Sequence, residues 1–124
     1  MTCIIIFLCS SYLELLQDNV LLFLHGFLGT GEDWITIMKA ISGSARCISI
    51  DLPGHGESTT QKNDCDVHGV EEPSFSMEVV ANLLYKLIHH LAPGKVNLVG
   101  YSMGARIAMY MALRFADKVV YEAC

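Results

Sequence analysis

Positive charge is scarce in this chain. Eight Lys and Arg are dispersed among 124 residues and are outnumbered by thirteen Asp and Glu. Neutralising nucleic-acid phosphates takes clustered Lys and Arg, so a formal net charge of −5 excludes a nucleic-acid partner. The five cysteines, Cys3, Cys9, Cys47, Cys65 and Cys124, are odd in number and form no Cys-x-x-Cys. Neither a disulfide framework nor a zinc site follows, and reduced thiols are expected. Long apolar runs are also missing: Cys3 to Cys9 is too short to span a bilayer and has no Lys or Arg before it, which argues against stable membrane insertion or a signal peptide. A strand or short helix packed on a sheet is expected there. No arginine-rich, serine-rich transit segment is present, so the chain by itself points to the cytoplasm. The stretch Asn63 to His68 gathers Asp, Cys and His in a polar loop without paired-ligand spacing, and neither metal nor cofactor is expected.

The strongest positive feature is Gly100-Tyr101-Ser102-Met103-Gly104. It is preceded by Lys95 to Val99, a short run rich in β-branched residues that reads as a buried strand. It is followed by Arg106 to Phe115, apolar at helical spacing. A serine on such a strand-turn-helix is placed for nucleophilic chemistry, because glycines permit the tight turn and the helix aims its first N–H groups at the serine oxygen. The alternative is a turn serine that merely caps a helix. Upstream, Val20 to Leu24 is a continuous apolar run ending in His25-Gly26-Phe27-Leu28-Gly29, which reads as a buried parallel strand delivering a glycine-rich loop. Acyl-type chemistry at a serine needs two N–H groups converging on one oxygen, and Met103 and Phe27 are the candidate oxyanion donors. A third strand, Cys47 to Ile50, leads into Asp51-Leu52-Pro53-Gly54-His55-Gly56-Glu57-Ser58. This turn is read as scaffold through Asp51, Gly54, His55 and Gly56, as are His25, Gly26, Gly100 and Gly104 in the other two motifs. His55, between two glycines, more plausibly satisfies loop backbone than abstracts protons.

Together these motifs resemble the α/β-hydrolase superfamily over about residues 20 to 120. More narrowly, His25 to Trp34 joined to Gly100 to Arg106 resembles the synthases of 2-succinyl-6-hydroxy-2,4-cyclohexadiene-1-carboxylate in menaquinone and phylloquinone biosynthesis, and among them the plant form, a domain of a fused chloroplast protein. The resemblance implies a lyase in which a histidine-activated serine abstracts a proton and pyruvate is eliminated. It also implies that Arg106, with Tyr101, holds a small-molecule carboxylate substrate. A planar guanidinium suits that task, although a solvated helix charge is the plainer reading of Arg106. On this resemblance the location becomes the chloroplast, with targeting supplied by sequence other than these residues.

In this fold the triad runs Ser, then Asp or Glu, then His. No histidine follows Ser102; the five are His25, His55, His68, His89 and His90, and the later acids are Asp117 and Glu122. The expectation is a partial α/β-hydrolase domain at 20–120, with segments 1–19 and 121–124 departing from the family pattern, inactive alone and prone to self-association through an exposed sheet edge. Three functions compete: the lyase, a carboxylester hydrolase using the same serine, and a non-catalytic interaction remnant.

The expected architecture is α/β, a parallel sheet with helices on both faces. Lys95 to Val99 is expected to be its central strand, with Val20 to Leu24 beside it and Ala45 to Ile50 outside that. Thr30 with Asp33 opens a helix through Ile41, whose Trp34 and Ile37 are read as core. Thr59 to Ser74 reads as a mobile loop. Ser76 opens a second helix with an apolar stripe from Met77 to Leu91, and His89 and His90 are read as charges complementing its C-terminal end.

Overall fold

A computed structural model of the chain describes residues 2–3, 6–9, 19–60 and 75–120. The elements run β1 (Thr2–Cys3), β2 (Ile6–Cys9), β3 (Val20–Leu24), a 3₁₀ turn (Gly31–Trp34), α1 (Ile35–Ile41), β4 (Arg46–Ile50), β5 (Thr59–Thr60), α2 (Met77–Leu91), β6 (Val96–Gly100), α3 (Met103–Arg114) and β7 (Val119–Val120). Residues 61–74, with the Asn63 to His68 cluster, and the tail 121–124 lie outside the described residues, as do Met1, 4–5 and 10–18.

The main sheet has the order β2-β4-β3-β6-β7. Its last four strands are parallel, with Leu22 in register between Ile48 and Leu98. β2 adds an antiparallel edge to β4. The middle strand is therefore β3 rather than the Lys95 to Val99 run, which forms β6 one residue later and lies between β3 and β7. β3 is apolar at every position because both of its faces are covered, as period-two alternation requires. Leu22 and Leu24 join Ile48, Ile50, Val80, Leu84, Ile88, Ile107 and Met111 beneath α2 and α3. Phe23 turns the other way onto Met38, Ala45 and Cys47, with Trp34 and Ile41 against them. Each fully buried aliphatic chain contributes about 1.5–3 kcal/mol, so this double-sided burial is what orders the sheet.

Local signals set the helix ends. The Ser76 hydroxyl accepts from the Val79 N–H at 3.3 Å and starts α2. At its other end, Arg46 donates to the Leu91 carbonyl at 2.7 Å and the buried Lys118 to the Ala92 carbonyl at 2.6 Å, two cations where the helix dipole favours them. The Thr30 N–H donates to the Asp33 carboxylate at 3.0 Å. The expected 30–41 helix begins instead as a single 3₁₀ turn, and α1 starts at Ile35. α3 starts at Met103, three residues before its apolar periodicity becomes visible.

Candidate active site

The carboxyl ends of β3, β4 and β6 bring His25, Asp51 and Tyr101 to one rim of the sheet, where ligands bind in open parallel folds. Ser102 sits at the tip of the turn between β6 and α3. It is exposed and takes φ 52 and ψ −109, a backbone region that residues with a Cβ rarely occupy. The turn is pinned: Tyr101 N–H donates to Leu24 O at 3.1 Å, Gly104 N–H to Tyr101 O at 2.9 Å and Arg106 N–H to Ser102 O at 3.2 Å. Both flanking glycines are demanded by close approach. A methyl group on Gly100 would lie 2.5 Å from the Gly104 carbonyl, and one on Gly104 would overlap the Leu24 carbonyl of β3. Met103 is the first residue of α3, so its N–H has no acceptor within the helix.

The strain at Ser102 has a measurable consequence. Glycine is normally destabilising relative to alanine, but at this φ the order should reverse. Ser102→Gly is expected to be more stable than Ser102→Ala by about 1 kcal/mol in urea unfolding. An alanine variant equal to or more stable than the glycine one would show that the turn is unstrained.

The loop after β3 lies directly against this turn, since a methyl group on Gly26 would sit 3.5 Å from the Ser102 Cβ. His25 is buried, with its Nδ1 2.7 Å from Gly26 O and its Nε2 accepting the Leu52 N–H at 2.9 Å. An amide N–H only donates and a carbonyl only accepts, so the ring is neutral with its proton on Nδ1. Gly26 O also accepts from the Gly29 N–H at 3.0 Å. The peptide is trans, which turns the Phe27 N–H to the side opposite His25.

Burial, its largest cause, holds the His25 pKa below the ordinary value of 6.5, and the neighbouring His55 lowers it further against the opposing pull of the Gly26 carbonyl. The unfolded chain therefore binds this proton more readily than the folded one. The stability His25 contributes is full above about pH 6.5 and is lost as pH falls toward the depressed folded value. A one-proton slope is at most about 1.4 kcal/mol per pH unit. Unfolding free energies measured from pH 7.5 to 5 should show this fall, and His25→Gln should flatten it.

Asp51 is buried and joins the two remaining loops. Its carboxylate accepts the Gly31 N–H at 2.7 Å and the Glu57 N–H at 2.9 Å, while its carbonyl accepts from the Ser58 hydroxyl at 2.7 Å. Ser49 adds a hydroxyl bond to Gly31 O at 2.8 Å. Gly56, at φ 55, leaves room for that carboxylate, which a methyl group would overlap. His55 donates through Nδ1 to Pro53 O at 3.2 Å and packs its ring 5.1 Å from His25 and 6.0 Å from Phe27. The turn with Gly54 at φ 79 thus braces the loop that carries Phe27. Ser49 and Ser58 were not legible as members of this network, because the pairings span 18 and 7 residues and follow only from the sheet register.

Arg106 stands one turn beyond Ser102, exposed, and its guanidinium makes no hydrogen bond or ion pair with the described residues. Asp117 lies past the far end of α3 and accepts from the Tyr85 hydroxyl at 3.2 Å, away from the serine. Beside the serine turn opens a cleft of about 320 Å³ lined by His25, Gly26, Asp33, Trp34, Ile37 and Tyr101. Trp34 packs 5.1 Å from Phe23 as well as lining the cleft, whereas Ile37, expected in the core, is 48% exposed and lines the cleft instead. Among the described residues, no three His, Cys, Asp or Glu converge as metal ligands, and no helix is long and apolar enough to cross a membrane.

A parallel sheet with helices on both faces, carrying a glycine-flanked serine at a strand-turn-helix, defines a chain of the α/β-hydrolase class. The alpha/beta hydrolase fold family matches residues 19–120, and the chain belongs to it. Within that class it is 62% identical over 103 residues to the Arabidopsis thaliana protein PHYLLO, chloroplastic, a match covering 83% of this chain and 6% of that protein. It is 35% identical over 95 residues to the 2-succinyl-6-hydroxy-2,4-cyclohexadiene-1-carboxylate synthase of Yersinia pseudotuberculosis, covering 74% of this chain and 29% of that enzyme. Among solved structures, a marine microorganism esterase superposes with a TM-score of 0.75 at 26% identity, over 94% of this chain and 38% of its own. The chain therefore spans less than two-fifths of the length of each of these relatives.

Proposed function

We propose that residues 19–120 are the nucleophile-bearing part of a 2-succinyl-6-hydroxy-2,4-cyclohexadiene-1-carboxylate synthase, a pyruvate-eliminating lyase of phylloquinone or menaquinone biosynthesis. The observation that carries this reading is the strained, exposed Ser102 at the N-terminus of α3 with the Gly26-Phe27 loop against it. In this reading Ser102 is the catalytic serine, and the N–H groups of Phe27 and Met103 hold the developing oxyanion. His25, through Gly26 O, keeps the Phe27 N–H turned out. Arg106, with Tyr101, receives a substrate carboxylate, which a guanidinium without a partner among the described residues favours.

The histidine base comes from outside residues 1–124 in this reading. His25 has both ring nitrogens engaged, and no histidine follows Ser102. Residues 1–124 by themselves are then expected to show negligible turnover. They are also expected to self-associate through the outer side of β7, which pairs only with β6 among the described residues. The chloroplast named for the Arabidopsis relative is the proposed location.

The second reading, a carboxylester hydrolase, draws on the likeness to the marine esterase. A chimera separates the two: residues 19–120 replace the matching segment of the Yersinia enzyme, which supplies the remaining length. Pyruvate release from the succinyl precursor well above p-nitrophenyl ester cleavage supports the lyase. Ester cleavage without pyruvate release supports the hydrolase.

A further inference from the structure

Three rings run in a row from the end of the middle strand to the loop that lies against Ser102. Buried His25 packs 5.1 Å from His55, and His55 makes a T-shaped contact with Phe27 at 6.0 Å. Phe27 is 71% exposed, and among the described residues His55 is the one ring in contact with it. Leu28, also exposed, takes φ 61, a conformation that a bulky side chain keeps only where its surroundings hold it there. The hydrogen bonds from the Gly29 N–H and from His25 Nδ1 both end on Gly26 O, one residue short of Phe27. His55 is itself well fixed. Its N–H donates to Leu52 O at 2.9 Å, its carbonyl accepts the Ser58 N–H at 3.1 Å, and its Nδ1 donates to Pro53 O. Gly54 and Gly56, both at positive φ, turn the chain on either side of it, and the Phe75 ring backs the turn 3.8 Å from a methyl group placed on Gly54.

We propose that His55 is a positioning residue: its imidazole, anchored on Pro53 O, props the Phe27 ring and so fixes the peptide whose N–H is the oxyanion donor. The inference rests on the proposed function for that donor's role, while the propping contact stands on its own residues. An oxyanion donor helps only if it is already in place when charge develops, so freedom in this peptide costs rate and leaves substrate binding alone. Histidine suits the position because it combines a flat ring for Phe27 with an N–H for Pro53 O. The ring serves the donor loop, and the hydrogen bond serves the turn. Those two contributions can be taken apart by substitution.

His55→Phe keeps a ring beside Phe27 and loses the donor to Pro53 O. His55→Asn keeps an amide N–H where Nδ1 stands and loses the ring. In NMR relaxation of isotope-labelled residues 1–124, the Phe27 amide is expected to show an order parameter of about 0.85 in the native chain and in His55→Phe, and below about 0.6 in His55→Asn. The β3 and β6 amides should not change. Phe27→Ala removes the other half of the contact and should loosen residue 27 equally, and adding His55→Asn should loosen it no further. If His55→Asn also disturbs β3 and β6, the Phe27→Ala comparison decides. In the chimera, His55→Asn should lower kcat about 10- to 100-fold, for pyruvate release or ester cleavage alike, and leave KM within about twofold. His55→Phe should stay within about threefold of the native kcat. An ordered Phe27 amide in His55→Asn, a mobile one in His55→Phe, or a loss confined to KM would each overturn the proposal. A chimera that turns over neither substrate would count against the proposed function, and the order parameters would still decide whether the His55 ring holds the loop.

Discussion

Gly104→Ala should unfold the chain or nearly so. Its methyl group would overlap the Leu24 carbonyl, with the His25 carbonyl 2.7 Å away, and both belong to or follow β3, the middle strand, which has no room to retreat. Overpacking against backbone exceeds the roughly 1–3 kcal/mol typical of an extra core methyl, and a domain of this size has about 5–15 kcal/mol in total. Urea unfolding followed by Trp34 fluorescence should show a loss of more than about 3 kcal/mol or no cooperative transition at all. Gly94→Ala is the control. A methyl group there meets nothing within 4 Å, and its effect should stay within about 0.5 kcal/mol. A mild effect at Gly104 would mean that α3 does not sit this close to β3.

In the chimera, Ser102→Ala should abolish pyruvate release, falling toward the level that binding and the oxyanion donors alone sustain. Arg106→Ala should act selectively. Charge-assisted contacts to a carboxylate are worth about 1.5–3 kcal/mol, so kcat/KM should fall about 10- to 150-fold for substrates that carry the carboxylate and little for a neutral ester. Equal losses on both would make Arg106 a structural charge. Because its guanidinium has no partner among the described residues, the unequal outcome is the expected one.

How much of this was legible before the fold was seen depends on how local each signal is. β3, β4 and β6 announced themselves because a parallel strand covered on both faces must be apolar throughout, as in Val20–Leu24. α2 was readable from its stripe and from Ser76. The motif glycines marked the serine turn, but why they are glycines lies in contacts across the sheet, between Gly104 and Leu24. The start of α3 at Met103 is hidden in the sequence, because its first turn belongs to the serine motif and carries little apolar periodicity. The central position went to β3, since sequence order does not fix how many strands gather on each side of a given one. Trp34 and Ile37 both read as core in the sequence, and Trp34 does pack on Phe23, but Ile37 faces the cleft. Whether an apolar residue faces a core or a cleft depends on what packs opposite, and that is not local information. The neutral tautomer of His25 likewise came only from Leu52, a partner 27 residues away.

The most direct test of the account is covalent labelling of the chimera with a fluorophosphonate, followed by mass-spectrometric identification of the modified residue. An activated serine at this turn predicts one rapidly labelled site, Ser102, with labelling lost in Ser102→Ala and pyruvate release lost in step with it. A folded chimera that releases pyruvate while Ser102 stays unlabelled, or that keeps its activity in Ser102→Ala, would contradict the assignment of Ser102 as the catalytic serine.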